Sequence, residues 1–484
     1  MRSIFAAVCG WIVPLALLVA TPAGADETRS GSSSDDRTVE QSAANRAVWD
    51  FVHFVSPTEV VDVIDSFDGD DPFDLSLSVA YDYSLRRAKI TRECRVPALC
   101  ATNRDDGAAS EFVDYMDIAR YTQTIHTLDL LLVVGLYHDL QFYTRWPLIL
   151  SDSRSLDYEE GTNHGAVDDI LGGLFRLPFE APERSGIDYF TVGFSWAPFN
   201  QERDPTEPNW VLNVEGRFGI GDLLTAADSS RPATGEGGSS RGLTEIRAGM
   251  ALSRRFRWIE PFGGLFAMVG IPKNDTFHHF NDPLDGQINT MPPIEGTLLF
   301  GMDIIPWENL ERFQKLWIGL EISGTFHSEG RTYSELFDAL GSSDDCRLTY
   351  DRGPTGSPSA CYDAVPGETE FLDRWYGAYG GDSLYRWSGM TDVENYGTFM
   401  GRLTVGIQAA KYVKFAVGVG FAHDQEHYIT FTDECNSEPG GTCSVGTGAK
   451  YNPMTREAID APGNRFRVQE TTVFDVSAAV TAMF

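Results

Sequence analysis

The chain ends Thr472-Val473-Phe474-Asp475-Val476-Ser477-Ala478-Ala479-Val480-Thr481-Ala482-Met483-Phe484. Counted back in twos from Phe484, the positions are Ala482, Val480, Ala478, Val476 and Phe474, all apolar. The other register holds Thr481, Ser477 and Asp475. Strand side chains alternate between faces, so the segment has one apolar face and one partly polar face. That is the dyad pattern of a barrel strand with lipid outside and a lumen inside. A strand of a soluble sandwich can show the same alternation, so the rest of the chain decides.

The ending resembles the C-terminal targeting signal of bacterial outer-membrane β-barrels, a final amphipathic strand closed by Phe. The resemblance implies outer-membrane lipid as the surroundings and the outer-membrane insertion machinery as a partner reading the Phe484 strand. The opposite end agrees. Met1-Arg2-Ser3 carries a positive charge, Ile4–Ala20 is mostly apolar, and Ala23-Gly24-Ala25 fits a small-x-small cleavage pattern. We expect a signal peptide over 1–25 and a mature chain beginning at Asp26. An uncleaved anchor would need a longer apolar run. Cys9 follows Val8 and precedes most of the apolar stretch, so it reads as part of the discarded peptide, not a lipoprotein cysteine.

No later segment approaches the roughly 18–20 apolar residues of a spanning helix. The chain past the signal is therefore either a soluble exported protein or a barrel. Residues 26–46, rich in Ser, Asp and Arg, read as a disordered tail. Residues 47–72 contain the capping box Ser56-Pro57-Thr58-Glu59 followed by Val60, Val61, Val63 and Ile64. They predict a short periplasmic helix that either docks or plugs the lumen. Residues 73–484 are assigned to an antiparallel transmembrane barrel.

Strand periodicity recurs along that region. Leu75, Leu77, Val79, Tyr81 and Tyr83 alternate with Ser76, Ser78, Ala80, Asp82 and Ser84. The same dyad recurs around Leu128–Val134, Leu140–Leu150, Phe190–Trp196, Leu212–Ile220, Ile246–Leu252, Glu260–Ile271, Leu298–Ile304, Leu316–Ile322, Phe399–Ile407 and Phe415–Phe421. With the C-terminal strand the count is about twelve, within a range of ten to fourteen, and bacterial barrels have even numbers. Short links (136–139, 200–208, 254–258, 307–314, 410–412) alternate with long ones (93–115, 151–186, 224–241, 272–293, 333–393, 432–466). Periplasmic turns and outer loops alternate in this way, whereas a sandwich has no reason to segregate its loops. Trp146, Trp196, Trp210, Trp258, Trp307 and Trp317 are placed near strand ends or on lipid-facing positions, as interface belts require.

Six cysteines follow the signal, in couples Cys94 and Cys100, Cys346 and Cys361, Cys435 and Cys443, all in the long links. Sequence proximity favours local disulfides, which suit an exported protein. Zinc is disfavoured, since Cys-x-x-Cys and His pairs are missing beside them. The net charge of −32 excludes nucleic acid as a partner. Acids such as Asp157, Glu159, Glu160, Asp344 and Asp345 read as solvated loops, with chelation of divalent ions at the lipid surface as the alternative. The run Asp68–Asp74 lacks a complete calcium-loop pattern. We assign no metal and no cofactor.

Function must be read from the inward register, which carries Asp82, Asp129, Arg145, Glu215, Arg217, Glu245, Arg247, Glu295, Asp303, Glu321, Arg402 and Asp475. Glu215, Arg217, Glu245 and Arg247 fall on successive strands and predict a cross-strand charge ladder, either lining a channel or filling a narrow pore with ion pairs. Some outer-membrane barrels are lipid hydrolases using a Ser and a His. His126, His164, His278, His279 and His423 are candidate bases, but Gly-x-Ser-x-Gly and His-Glu-x-x-His are absent from the sequence. The stretch Val134-Gly135-Leu136-Tyr137-His138-Asp139-Leu140-Gln141-Phe142-Tyr143-Thr144-Arg145-Trp146-Pro147 resembles a hairpin of predicted outer-membrane channels, among them the family associated with phenol meta-pathway degradation. That resemblance implies transport. The sequence therefore predicts a non-enzymatic channel for small molecules in a Gram-negative outer membrane. Competing with it are a non-conducting surface barrel whose acidic, disulfide-pinned loops bind a partner or lipopolysaccharide, and a barrel-embedded lipid hydrolase.

Overall fold

The computed structural model describes residues 63–64, 75–94, 114–226, 238–272, 288–343, 345, 347–348, 388–433, 435–436, 450–452 and 454–484. Twelve strands form the wall: β1 Leu75–Cys94, β2 Asp114–Tyr137, β3 Leu140–Tyr158, β4 Tyr189–Phe199, β5 Asn209–Gly219, β6 Leu243–Ser253, β7 Ile259–Pro272, β8 Glu295–Asn309, β9 Gln314–His327, β10 Tyr396–Ala410, β11 Val413–Asp424 and β12 Phe466–Met483. Each pairs antiparallel with its neighbour in sequence, and β12 returns to β1 in register Leu77↔Ala482 and Val79↔Val480. The sheet thus closes and leaves no edge, the condition for strands to cross lipid. The ends of the wall are tied by Phe484 N donating to Leu75 O at 2.8 Å and Leu75 N donating to Phe484 O at 3.1 Å.

Closure follows from the alternation. In β12, Phe474 and Val480 face outward and stay exposed, while Asp475, Ser477 and Thr481 are buried inside. On β1, Leu77, Val79 and Tyr81 face out against buried Ser76, Ser78 and Ala80. The outward belt continues around the wall through Leu130, Phe194, Val214, Ile246, Val269, Phe300, Leu320, Leu403 and Val417, all exposed. A soluble protein would not leave so continuous an apolar band in water. Trp146, Trp196, Trp258 and Trp307 are exposed, but Trp317 turns inward, 3% exposed. Its position is odd-numbered in a strand whose lipid-facing residues, Leu320 and Ile322, are even-numbered. Gly406 on β10 makes room for it, because a Cβ there would lie 2.0 Å from Trp317 Cζ2.

The hairpin turns fall at one end of the barrel and the long connections at the other, as expected. The turn at His138-Asp139 puts Asp139 in the left-handed region, at φ 53°. Ile220 falls just outside β5, and Asp157 belongs to β3, not to a loop. The strands outrun the sequence pattern on the long-loop side. β1, β2, β3 and β12 have 20, 24, 19 and 18 residues, against about 9–11 for a bilayer crossing. Near its end, β1 is covered on both faces, with Thr91, Arg92 and Glu93 all buried.

What covers them is a folded cap. Helix α1 (His164–Leu171) starts at Asn163, whose Oδ1 accepts from Gly165 N at 3.1 Å, and stops at Gly172 in the left-handed region. Helices α2 (Phe337–Gly341) and α3 (Glu457–Asp460) come from other long connections. Val167, Leu171, Leu336, Leu340 and Ile459 pack with Ile90, Met116, Ile118, Tyr121, Phe466 and Val468 of the wall in one apolar cluster. Cys94 is disulfide-bonded. Cys435 pairs by its backbone with Tyr451. Cys100, Cys346, Cys361 and Cys443 lie outside the described residues, as do the tail over 26–46 and Asp68–Asp74. Of the expected periplasmic helix, only Val63 and Ile64 are described, and both are non-helical.

Candidate transport lumen

The inward side chains stack in three layers. Nearest the hairpin turns is an apolar ring. Ala80, Leu131, Val133, Tyr143, Ile305, Trp317, Ala416 and Ala479 form one part of it, and Ile64 packs against them. Ala197, Val211, Ala251, Phe262, Phe266 and Leu299 form the other, and Val63 packs against them. Every strand except β10 contributes, and Gly406 of β10 lies under Trp317. Ile64 N also donates to Gln141 Oε1 at 2.9 Å, from a residue 77 positions earlier in the chain. Val63 and Ile64, which precede the first strand, therefore pack on inward side chains from both parts of the ring.

The middle layer is charged. Glu215 is its hub on one side, 1% exposed. Its Oε1 accepts from Arg217 Nε at 3.0 Å, and Arg247 Nη1 stands 3.5 Å away. Its Oε2 accepts from Tyr143 Oη at 2.7 Å, which in turn accepts from Asn213 Nδ2 at 2.9 Å. Arg217 reaches Glu245 at 3.8 Å, Arg241 reaches Glu245 at 2.9 Å, and Arg241 lies 3.6 Å from Asp188. The registers Glu215↔Arg247 and Arg217↔Glu245 put opposite charges directly across β5 and β6. Among the described residues, three acids and three arginines meet there. Across the lumen, Arg145 holds Asp129 with two bonds of 3.0 and 3.1 Å. Glu321 and Arg402 are direct cross-strand partners. Arg402 reaches over β11 to donate to Ser477 Oγ at 2.7 Å. Gly418 permits this, since a Cβ there would stand 3.0 Å from the guanidinium. Asp303 and Asp475 are buried on the same side, and Asp82 is half-buried between Asp129 and Asp475. Glu295 stands higher, 3.5 Å from His327 Nδ1.

The third layer joins wall and cap, and the sequence reading did not find it. Arg184 pairs with Asp338 of α2, and Arg154 bonds Asp152 at 2.6 Å. Gln123 Nε2 donates to Asp152 Oδ1 at 2.9 Å. Arg86 bridges Glu335 at 2.7 Å and Asp424 at 2.9 Å. Arg331 lies 3.3 Å from Asp392. Arg86 shares the inward register with Asp82 and was available to a reading carried two residues past Ser84. Asp152 and Arg154 were hidden by a register irregularity between Ile149 and Asp152, which inverts the alternation along β3.

The candidate bases do not assemble a nucleophile–base pair among the described residues. His126 accepts or donates to Tyr81 Oη at 2.7 Å, His164 stacks on Tyr158, and His423 Nδ1 faces Thr471 O at 2.8 Å. His278 and His279 lie outside the described residues. On the lipid-facing wall, a depression of about 820 Å³ lies around Gly401, bordered by Phe300, Ile322, Leu403, Phe421 and Phe474.

No family model and no curated protein matches the chain. Among solved structures, an outer-membrane channel from Pseudomonas putida F1 aligns over 87% of this chain and 100% of its own, at 9% identity and TM-score 0.38. A Pseudomonas aeruginosa FadL homologue aligns over 85% and 90%, at 8% identity and TM-score 0.31. The TodX monoaromatic hydrocarbon channel, as a deltaS2 mutant, gives 85% and 90%, at 10% identity and TM-score 0.31. The closed wall, its apolar belt and its polar interior make this chain an outer-membrane β-barrel.

Proposed function

We propose that the barrel is an outer-membrane channel for passive passage of small molecules, closed at its periplasmic end by the segment that contains Val63 and Ile64. The observation that supports this is the apolar ring. A wall able to fill its own lumen has no need of an added segment. Here wall residues from both sides meet on Val63 and Ile64 instead, and Ile64 N is bonded to Gln141. A plug made of chain outside the wall is removable without breaking the barrel. In this reading residues 1–25 are cleaved on export, the disulfides pin the outer loops, and the Phe484 strand is what the insertion machinery reads.

The test is osmotic swelling of proteoliposomes with small neutral solutes. Replacing Val63 and Ile64 together by Asp puts charge into the apolar ring and should raise swelling well above the unaltered protein. Equal swelling in both, with folding verified, would defeat the plug. The cap favours a second reading, since a packed apolar core over the outer mouth also suits a surface protein whose loops bind a partner. Swelling that stays at the lipid background in all variants would select that reading.

A further inference from the structure

The five hairpin turns, at the end of the barrel opposite the cap, differ in charge. Two successive turns, 138–139 and 200–208, carry Asp139, Glu202, Asp204 and Glu207 against Arg203, and neither holds a large apolar side chain. The next three, 254–258, 310–313 and 411–412, carry Arg254, Arg255, Arg257, Arg312 and Lys411 against Glu311. They also expose Phe256, Trp258, Leu310, Phe313 and Tyr412. Contacts join these three turns into one arc. Ile305 N of β8 donates to Trp258 O at 2.7 Å, and Arg255 Nη2 donates to Glu308 Oε2 at 2.5 Å. Gln314 Nε2 donates to Ala409 O at 2.9 Å, and Lys411 Nζ stands 5.5 Å from the centre of the Phe313 ring. Even with Glu308 and Glu311 set against them, these cations leave an excess of three positive charges, on a chain whose net charge is −32.

Within the arc, cations lie over exposed rings. Arg257 stands 4.9 Å from the Trp258 ring, Arg254 5.8 Å from Phe256, and Lys411 5.2 Å from Tyr412. An apolar body with a charged tip suits a membrane boundary, where the ring meets the edge of the hydrocarbon and the cation stays among headgroups. The arc also continues the lipid-facing belt. Exposed Leu252 and Ile259 flank the first turn, and exposed Ile407 and Phe415 flank the third. Position therefore selects lipid as the occupant, and charge selects its headgroup. We infer that the arc of turns 254–258, 310–313 and 411–412 is a contact surface for anionic phospholipid, whose phosphodiester groups lie against Arg254, Arg257, Arg312 and Lys411. No single headgroup spans the arc; each turn meets its own lipids. A zwitterionic headgroup offsets its phosphate with its own cation and gains less. The acidic turns 138–139 and 200–208 gain nothing from such a leaflet.

The test is native mass spectrometry of the mature protein in detergent, with equal amounts of phosphatidylglycerol and phosphatidylcholine carrying identical acyl chains. One basic group near an anionic lipid surface favours binding roughly fivefold. With more than one acting at a time, retained phosphatidylglycerol should exceed phosphatidylcholine by about tenfold or more. The preference should weaken as ionic strength rises, because these charges are open to screening. The fourfold variant Arg254→Gln, Arg257→Gln, Arg312→Gln and Lys411→Gln should retain the two lipids about equally. Arg176→Gln, at an exposed position on the cap side, should leave the preference unchanged. The four substituted groups are exposed or half-buried, and heat-modifiable gel mobility verifies the folded barrel. Equal retention by the unaltered protein, or a preference that survives either salt or the fourfold variant, would overturn the surface. Displacement of the lipid by millimolar glycerol phosphate would show a soluble-anion site instead and would also overturn it. Lipid retention does not depend on conductance, so failure of the channel reading leaves this surface standing, and the reverse holds too.

Discussion

Replacing Glu215 by Gln tests whether the charge ladder is a buried filling or the wall of a wet pore. Glu215 accepts from Arg217 and Tyr143 and faces Arg247 at 3.5 Å. Glutamine keeps the shape, but its amide turns a donor toward groups that are themselves donors. Two guanidinium groups, each no more than 5% exposed, then lose this carboxylate, while Arg217 keeps Glu245 at 3.8 Å. Removing one member of a buried ion pair costs about 3–5 kcal/mol, because the partner charge stays buried and uncompensated. The same change at a water-exposed pair costs about 0–1 kcal/mol. The assay is urea unfolding in lipid vesicles, followed by tryptophan emission and gel mobility. The structure predicts a loss near the upper range, and recovery of most of it in the charge-balanced double variant Glu215→Gln with Arg247→Leu. A loss under about 1 kcal/mol would show that water reaches the ladder, and the packed middle layer would be wrong.

Three further outcomes follow from other parts of the molecule. Gly406→Ala drives a Cβ into Trp317, so it should cost about 1–3 kcal/mol and shift tryptophan emission, where an alanine at an open glycine would do neither; unchanged stability and emission would contradict the inward placement of Trp317. Val417→Arg, on the outward belt of β11, should cost about 2–4 kcal/mol in vesicles if that face meets lipid, and a negligible cost would argue against it. Burial pushes the Asp460 carboxyl up from its ordinary 3.8 to about 7, with the neighbouring Asp392 adding to the effect against hydrogen bonds from the Arg456 and Thr432 amides. The folded cap therefore holds a proton that the unfolded cap releases between those pH values, and its stability falls as pH rises through that window. Limited proteolysis of the outer loops, scaled to an unfolded control at each pH, should be slower at pH 5 than at pH 8. Asp460→Asn should flatten the difference, and an unchanged or reversed dependence would refute the assignment.

The wall was legible because one physical constraint governs it. A strand between lipid and lumen must alternate, and Phe474, Val480, Leu77 and Val417 announce the outer face without any knowledge of partners. The same alternation placed Glu215, Arg217, Glu245 and Arg247 inside, and neighbouring strand order paired them. Legibility ended where a residue left that environment. From Thr91 to Glu93 both faces of β1 are covered, so period two no longer marks an inside there. A register irregularity in β3 reverses it outright. Trp317 was misplaced because its type suggests an interface, while its register and the vacant face of Gly406 decide its direction. The pairing of Arg184 with Asp338 joins residues 154 positions apart, and nothing local in either stretch encodes it. Before the first strand the sequence offered a capping box and an apolar run, read as a short helix that docks or plugs the lumen. That Val63 and Ile64 pack on inward side chains depends on the ring that receives them.

The most direct measurement is single-channel conductance of the mature protein in planar bilayers, with its disulfides formed, compared with a chain lacking residues 26–71. The full mature chain should give silence or rare openings, and the shortened one steady current. Steady current of equal size in both would mean that the segment at Val63 and Ile64 closes nothing. Silence in both, with heat-modifiable mobility confirming a folded barrel, would contradict the channel itself and leave the outer cap as the working part of the molecule.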